Sequence, residues 1–362
     1  MLDSQVLLER LKKFDKLYEG FYTWLAGQYA PEYGGFYYAR SSRTDPQFQP
    51  DIESTAQALS ILQRSRLLGS MPELMRQQLI AFFQKRQTPE GYFYDPHNRM
   101  REVDRMVGRA VMYSAGSLRL LGAKPLYPLP GSSGRQSLPP HLQSLAAFKQ
   151  WIDERPWDYA WMACDNLQAA GVFLRQLPEN ERKEYMDYLW KYLEEHQDPE
   201  TGMWGDGRPY IKISGAFKLA LLYGSFQKTL PRPERIYRYL LYTLREDVSE
   251  DMCWTRNPMD LLCALKPVIG PYPLEEAEEI IEITFENLKR YLKPDGGFSR
   301  HVEHSLEIPN NVPLGKGLAE GDMNAGTQAL RIRSACYEFI NMQQYDVPLT
   351  QYTDGFYEKI QW

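Results

Sequence analysis

Cysteine and histidine are scarce in this chain, with four Cys and five His in 362 residues. Cys164, Cys253, Cys263 and Cys336 are scattered among apolar neighbours. They read as reduced core thiols rather than a disulfide frame or a zinc knuckle. A basic excess is also missing: 42 Lys and Arg stand against 47 Asp and Glu, for a net charge of −5. Without basic runs, the chain is not built to grip nucleic acid or an anionic membrane. No apolar run approaches the length that spans a bilayer. The N-terminus, Met1-Leu-Asp-Ser-Gln-Val-Leu-Leu-Glu-Arg, lacks the basic start and apolar core of a leader and reads as a helix. A cytoplasmic protein is therefore expected. No nucleotide-binding glycine fingerprint occurs, so no cofactor is expected. Strand-like alternation is almost absent, which argues against an α/β fold.

Aromatics are abundant at 13%, including 25 Tyr and 8 Trp. So is repetition. Asp51-Ile-Glu-Ser-Thr-Ala-Gln-Ala-Leu-Ser-Ile61 aligns without a gap on Asp322-Met-Asn-Ala-Gly-Thr-Gln-Ala-Leu-Arg-Ile332. Each copy follows a Gly-Gly-Phe, at 34–36 and 296–298. A repeat of this kind marks an array of similar units.

Helical periodicity dominates between the copies. Leu274, Ala277, Ile280, Ile281, Phe285, Leu288 and Leu292 follow the three-four spacing of one buried helix face. Residues 3–29, 72–87, 139–153, 180–196 and 233–246 show the same amphipathic pattern. They alternate with segments poorer in charge and richer in small residues, at 52–66, 105–121, 162–176, 211–226, 258–266 and 323–342. Helices of that composition are packed on most sides. Gly-aromatic links join the two kinds, with Trp157-Asp-Tyr-Ala-Trp161 and Cys253-Trp254 standing in for the glycine in the third and fifth units. The predicted fold is all-α, an (α/α)6 toroid of about six outer/inner hairpins over residues 1–344, with 345–362 as a tail packed on the outside. The Pro-, Gly- and Ser-rich stretch Lys124–Pro140 reads as a long surface connection within that single ring.

The Asp295-Gly-Gly-Phe298 turn followed by Asp322 and Gln-Ala-Leu, and Asp198-Pro-Glu-Thr-Gly-Met-Trp-Gly205 followed by the 212–224 helix, resemble repeats of the terpenoid cyclase and protein prenyltransferase toroids. The likeness lies in the shape of the repeats, and unrelated chemistries share such rings, carbohydrate hydrolases and lyases among them. The acid run implied by class II terpene cyclases is not intact. Asp51-Ile-Glu53-Ser-Thr and Asp322-Met-Asn324-Ala are the nearest strings. The zinc pair implied by prenyltransferases has one match by letter, Asp251-Met-Cys253, which His301 or His304 would have to complete.

If the inner helices run parallel, their N-termini open at one mouth. Ring closure would make Asp51 and Asp322 neighbours there, a carboxylate pair suited to acid–base cleavage of a glycosidic bond, with Glu53 as a third acid. Each Asp is equally well placed to cap its helix. Candidate substrate-binding residues at the same mouth are Asp104, Arg105, Arg109, Asp165, Asn166, Lys212, Asn257 and Asn324. Tyr38, Tyr94, Trp157, Trp161, Trp204 and Trp254 offer faces for sugar rings, or wedges between repeats. His301 and His304 form a pair in the last long loop. No metal is expected. The leading expectation is a carbohydrate-active enzyme, a glycoside hydrolase or a polysaccharide or oligosaccharide lyase, working on a small-molecule or oligosaccharide substrate. A terpenoid cyclase-like enzyme and a non-catalytic toroid binding a glycan or protein are the rival readings.

Overall fold

A computed structural model describes residues 2–97, 99–132, 134 and 138–362. Of the Lys124–Pro140 connection, residues 133 and 135–137 lie outside the described residues. Six helices form an inner ring: Ile52–Arg64, Asp104–Leu120, Ala160–Leu174, Pro209–Ser225, Met252–Ile269 and Met323–Phe339. Each packs against the next, and the last packs against the first. The outer layer is Leu2–Lys13, Glu73–Gln84, Leu145–Asp153, Glu179–Glu195, Pro233–Glu246 and Leu274–Arg290. The chain is an all-α (α/α)6 toroid. The named strands among the described residues are the short antiparallel pair Tyr29–Ala30 and Gly35–Phe36.

The inner helices share one direction. Backbone bonds tie the segments entering them: Met323 N donates to Tyr38 O at 2.7 Å, Ala160 N to Asp206 O at 2.8 Å and Met252 N to Arg300 O at 2.8 Å. Small residues let the helices approach. A Cβ built on Gly215 would stand only 3.0 Å from Ala160 O on the preceding inner helix. Aspartates start three of the six. Asp51 accepts from Ser54 N, Asp251 from Cys253 N and Asp322 from Ala325 N, each satisfying an amide that the helix itself leaves without a partner.

One expectation is corrected. The fifth inner helix runs over Met252–Ile269, not 258–266, and carries Pro258 and Pro267 within it. The prolines read as breakers in the sequence, but the cap at Asp251 sets the true start. Cys253 and Trp254 therefore belong to the first helical turn and not to a link.

The tail lies against the first unit. Phe356 is buried and edge-packs on Tyr22, Tyr357 Oη donates to Leu67 O at 2.7 Å, and Trp362 meets Tyr29. Among the described residues, no helix is long and apolar enough to cross a membrane.

Closure of the ring is tightest where the last Gly-Gly-Phe turn passes under the first unit. A Cβ on Gly297 would come within 2.7 Å of the Trp24 ring and 2.8 Å of Gly321 Cα. Gly297→Ala is expected to lower stability by about 1–3 kcal/mol, as overpacking does in a closed core. Urea unfolding checks this, and an unchanged midpoint would mean that the seam is slack.

Candidate active site

The hollow of the ring is a cavity of about 1010 Å³. It runs from Trp161, Cys253 and Asn324 in the first turns of inner helices to Arg119, Leu120 and Glu338 in last turns. Its exposed lining residues, Gln63, Arg64, Met112, Arg119, Leu221 and Ala264, sit in the middle or last turns. The open end is therefore the C-terminal rim of the inner helices, whereas the sequence pattern pointed to the N-terminal rim. Over the N-terminal rim lies the segment before the last inner helix, which lends Arg300 and Asn310 to the wall.

The wall is strongly cationic. Arg64, Arg109, Arg119, Lys218, Arg256, Arg300 and Arg331 line it, against the carboxylates of Asp260 and Glu338. Gln57, Gln63, Gln168, Asn257, Asn310, Asn324 and Gln328 add amides, and Tyr113, Trp161 and Phe217 add ring faces.

Behind the wall sits an ionic network. Asp165 is fully buried and faces Lys218 Nζ at 2.7 Å, Arg109 Nη1 at 3.6 Å and Arg105 Nε at 3.6 Å. Burial alone would push this carboxyl up, but Lys218, Arg109 and Arg105 together outweigh it and hold Asp165 below its ordinary value. Arg109 also grips Glu53, with Nη2 at 2.5 Å from Oε1. The same oxygen accepts from Gln57 Nε2 at 3.1 Å and Asn310 Nδ2 at 3.2 Å. Oε2 of Glu53 has no hydrogen-bond partner among the described residues. Gln57, Arg109 and Asn310 all line the channel, so Glu53 lies directly behind its wall, itself lining the small separate cavity on the far side.

Asp51 and Asp322 are helix caps set back from the channel. Asp51 lines a small separate cavity with Glu53, Asp95, Arg109 and Tyr113. Burial, and then the Asp95 carboxylate, push it up to about 8 against the opposing Ser54 bonds. Asp322 is fully buried and accepts from Ala325 N at 2.8 Å and Arg300 N at 2.7 Å. Burial pushes it up to about 7, although those amides and the Arg300 charge pull it down.

The other expected residues divide between the channel and the periphery. Trp161, Asn257 and Asn324 line the channel. Asn257 Nδ2 donates to Ser214 Oγ at 3.0 Å, and Asn324 Oδ1 accepts from Arg300 Nη1 at 3.2 Å and Gln328 Nε2 at 2.5 Å. Arg105 is buried over the Trp161 face. Tyr38 is buried beside the entry to the last inner helix. Asn166 is spent on Met162 O within its own helix. Trp157 and Trp204 are wedges, donating to Ile152 O and Leu193 O. Trp254 stacks on Tyr210, and Tyr94 on Tyr92. Asp104 is exposed, and Lys212 pairs with Asp206 at 3.2 Å. His301 sits in a shallow surface hollow with His304, Glu250 and Arg290. Among the described residues, no three His, Cys, Asp or Glu side chains gather closely enough to hold a metal ion.

Sequence reasoning passed over Gln57, Arg64, Tyr113, Arg256, Arg300, Gln328 and Arg331. All but Arg300 lie past the first helical turn. Their signal was a polar stripe at three-four spacing on otherwise small and apolar helices: Asn324, Gln328 and Arg331, or Arg256 and Asp260.

No protein-family model matches the chain, and no curated protein matches it. Among solved structures, the chain is similar to unsaturated glucuronyl hydrolase from Streptococcus agalactiae, at 12% identity over 93% of this chain and 91% of that chain, with a TM-score of 0.41.

The raised acid at 51 gives a pH prediction. Between its ordinary value of 3.8 and about 8, the folded chain keeps a proton there that the unfolded chain releases. Stability therefore falls as pH rises through that window, by at most about 1.4 kcal/mol per pH unit for one group. Asp51→Asn keeps an oxygen for Ser54 N and removes the titration. Its Tm is expected to fall less than that of the parent between about pH 5 and about pH 9. Thermal melts across that range check this, and identical slopes would contradict it.

Proposed function

We propose that this chain is a carbohydrate-active enzyme that cleaves a glycosidic bond of a saccharide held in the central channel. The observation that carries the reading is the channel wall itself, a mixture of amides, cations and ring faces, with the ion-paired carboxylate of Glu53 buried directly behind Gln57, Arg109 and Asn310. Sugars are bound by that mixture, with hydroxyls on amides and guanidiniums and C–H faces on aromatic rings. Glu53 is the base in the proposal, acting from behind Gln57, Arg109 and Asn310. Where cleavage goes by elimination, Arg109, at its side, stabilises the negative charge left on the substrate when its proton is taken. Asn324, Asn257 and Gln328 orient hydroxyls, and Trp161 offers the face for a ring. Asp51, which burial and Asp95 push up to about 8, shares the small cavity behind the wall with Glu53 and supports it from there. Asp322 stands behind Arg300 as a second raised acid and positions that guanidinium through its backbone N–H.

The volume supports a ligand of more than one ring, since it reaches the top of the roughly 300–1,000 Å³ range of small-molecule sites. A terpenoid substrate would call for walls of aromatic and aliphatic side chains, whereas this wall is charged. A binding toroid without turnover would need the same channel but would not depend on the Glu53 charge.

The test is a panel of neutral, acidic and phosphorylated oligosaccharides, followed for reducing ends and for the absorbance of unsaturated uronates. The first signal marks cleavage, and the second marks cleavage by elimination. Glu53→Gln is expected to lose at least about 100-fold in kcat, in line with removal of a general base, while still binding the ligand. Full turnover in this variant would sink the assignment of Glu53, and silence of the parent across the panel would sink the enzyme.

A further inference from the structure

Four charged residues gather in the channel beyond the Glu53 region. Asp260 lies on the fifth inner helix, Arg331 on the sixth, and Arg64 ends the first, so the three helices are consecutive around the ring. Arg331 Nε donates to Asp260 Oδ1 at 2.5 Å. Arg256 Nε lies 2.7 Å from Asp260 Oδ2 but without the geometry of a hydrogen bond. Arg64 makes no ion pair or hydrogen bond among the described residues. All four side chains line the same cavity.

A cluster built only to stabilise the ring would spend its donors on protein acceptors. Three guanidiniums carry many N–H groups in fixed forks, yet among the described residues only Arg331 Nε is so spent. With Asp260 and Glu338 set against Arg64, Arg256 and Arg331, a positive charge is still left over. Glu338, seven residues past Arg331 on the same helix, lines the same cavity, and its charge favours the Arg331 cation. Arg256 is seated over the Phe217 ring at 4.6 Å, which fixes its plane without using its N–H groups. Burial, and then Arg331, press Arg64 below its ordinary value, with Asp260 pulling the other way and Arg256 adding to the strain. An anion placed among these groups would relieve that repulsion.

We infer that Arg64, Arg256 and Arg331, arranged around Asp260, form a subsite for a phosphate monoester. Such a group carries about −1.5 to −2 at neutral pH, which suits a channel wall whose Lys and Arg outnumber its carboxylates. The forks of arginine suit phosphate oxygens in pairs. The inference rests on the glycosidic reading for the sugar part only, and there it names a phosphorylated saccharide as the substrate class. The phosphate would sit toward the open rim and the scissile bond toward Glu53.

Calorimetric titration at constant ionic strength, with chloride as the background anion, tests this on the intact chain. The probes are inorganic phosphate, inorganic sulfate, a hexose phosphate and the parent hexose. Phosphate and hexose phosphate are expected to bind saturably, the hexose phosphate more tightly than either phosphate or the hexose. Arg64→Gln touches no partner and should leave the circular dichroism unchanged, while weakening phosphate at least about tenfold. Arg256→Gln is expected to act the same way. Absence of saturable phosphate binding, a preference for sulfate, or unaltered affinity in both variants would overturn the subsite. Turnover of saccharides without any phosphate binding would end this inference and leave the glycosidic reading standing. Phosphate binding with no turnover would do the reverse.

Discussion

A buried carboxylate surrounded by cations is the constraint on which the interior depends. Asp165 has no exposed surface, and leaving water is costly for a charge. It stays ionised because Lys218, Arg109 and Arg105 reach it from the helices on either side. Arg109 then passes the connection on to Glu53 of the first inner helix. Four of the six inner helices are thereby tied through one ionic cluster. Asp260 does the same across the ring, taking Arg256 from its own helix and Arg331 from the next.

These two clusters explain why the ring holds a hollow and not a filled apolar core. Groups of like charge on facing helices repel one another, and Arg109, Lys218, Arg256, Arg300 and Arg331 are each held by a carboxylate. The apolar surface is buried instead between the two layers of helices, where Tyr18, Phe21 and Phe298 interlock at the seam. The outer layer thus supplies most of the packing and the inner layer supplies the chemistry. The loop that lends Arg300 and Asn310 joins them, since Arg300 pairs with Asp251 at 2.6 Å and Asn310 reaches Glu53.

Much of the fold was legible because it is written locally. The paired copies at 51–61 and 322–332 mark the first and last inner helices, and their aspartates cap those helices as their position suggests. Amphipathic spacing marks the outer layer. Pro258 hid the start of the fifth inner helix, because the cap at Asp251 outweighs a proline that the helix accommodates. The site was less legible. Residues at helix starts stand out in a sequence, but the channel is lined mostly by residues one to four turns further on. Only the closed ring reveals that Gln57, Tyr113, Arg256, Gln328 and Arg331 face a common hollow. Tryptophans mislead for a related reason: Trp157 and Trp204 belong to link motifs as rich in aromatics as any sugar platform, yet each is tied to the backbone of an outer helix or the turn after it.

The hub at Asp165 is open to direct measurement. Asp165→Asn changes shape little but leaves Arg105, Arg109 and Lys218 buried without their shared carboxylate. Removing one partner of a buried ionic cluster costs about 3–5 kcal/mol, and urea unfolding of parent and variant at neutral pH should show a loss of that size. A loss below about 1 kcal/mol would contradict the account, because the ring would then be held by packing alone.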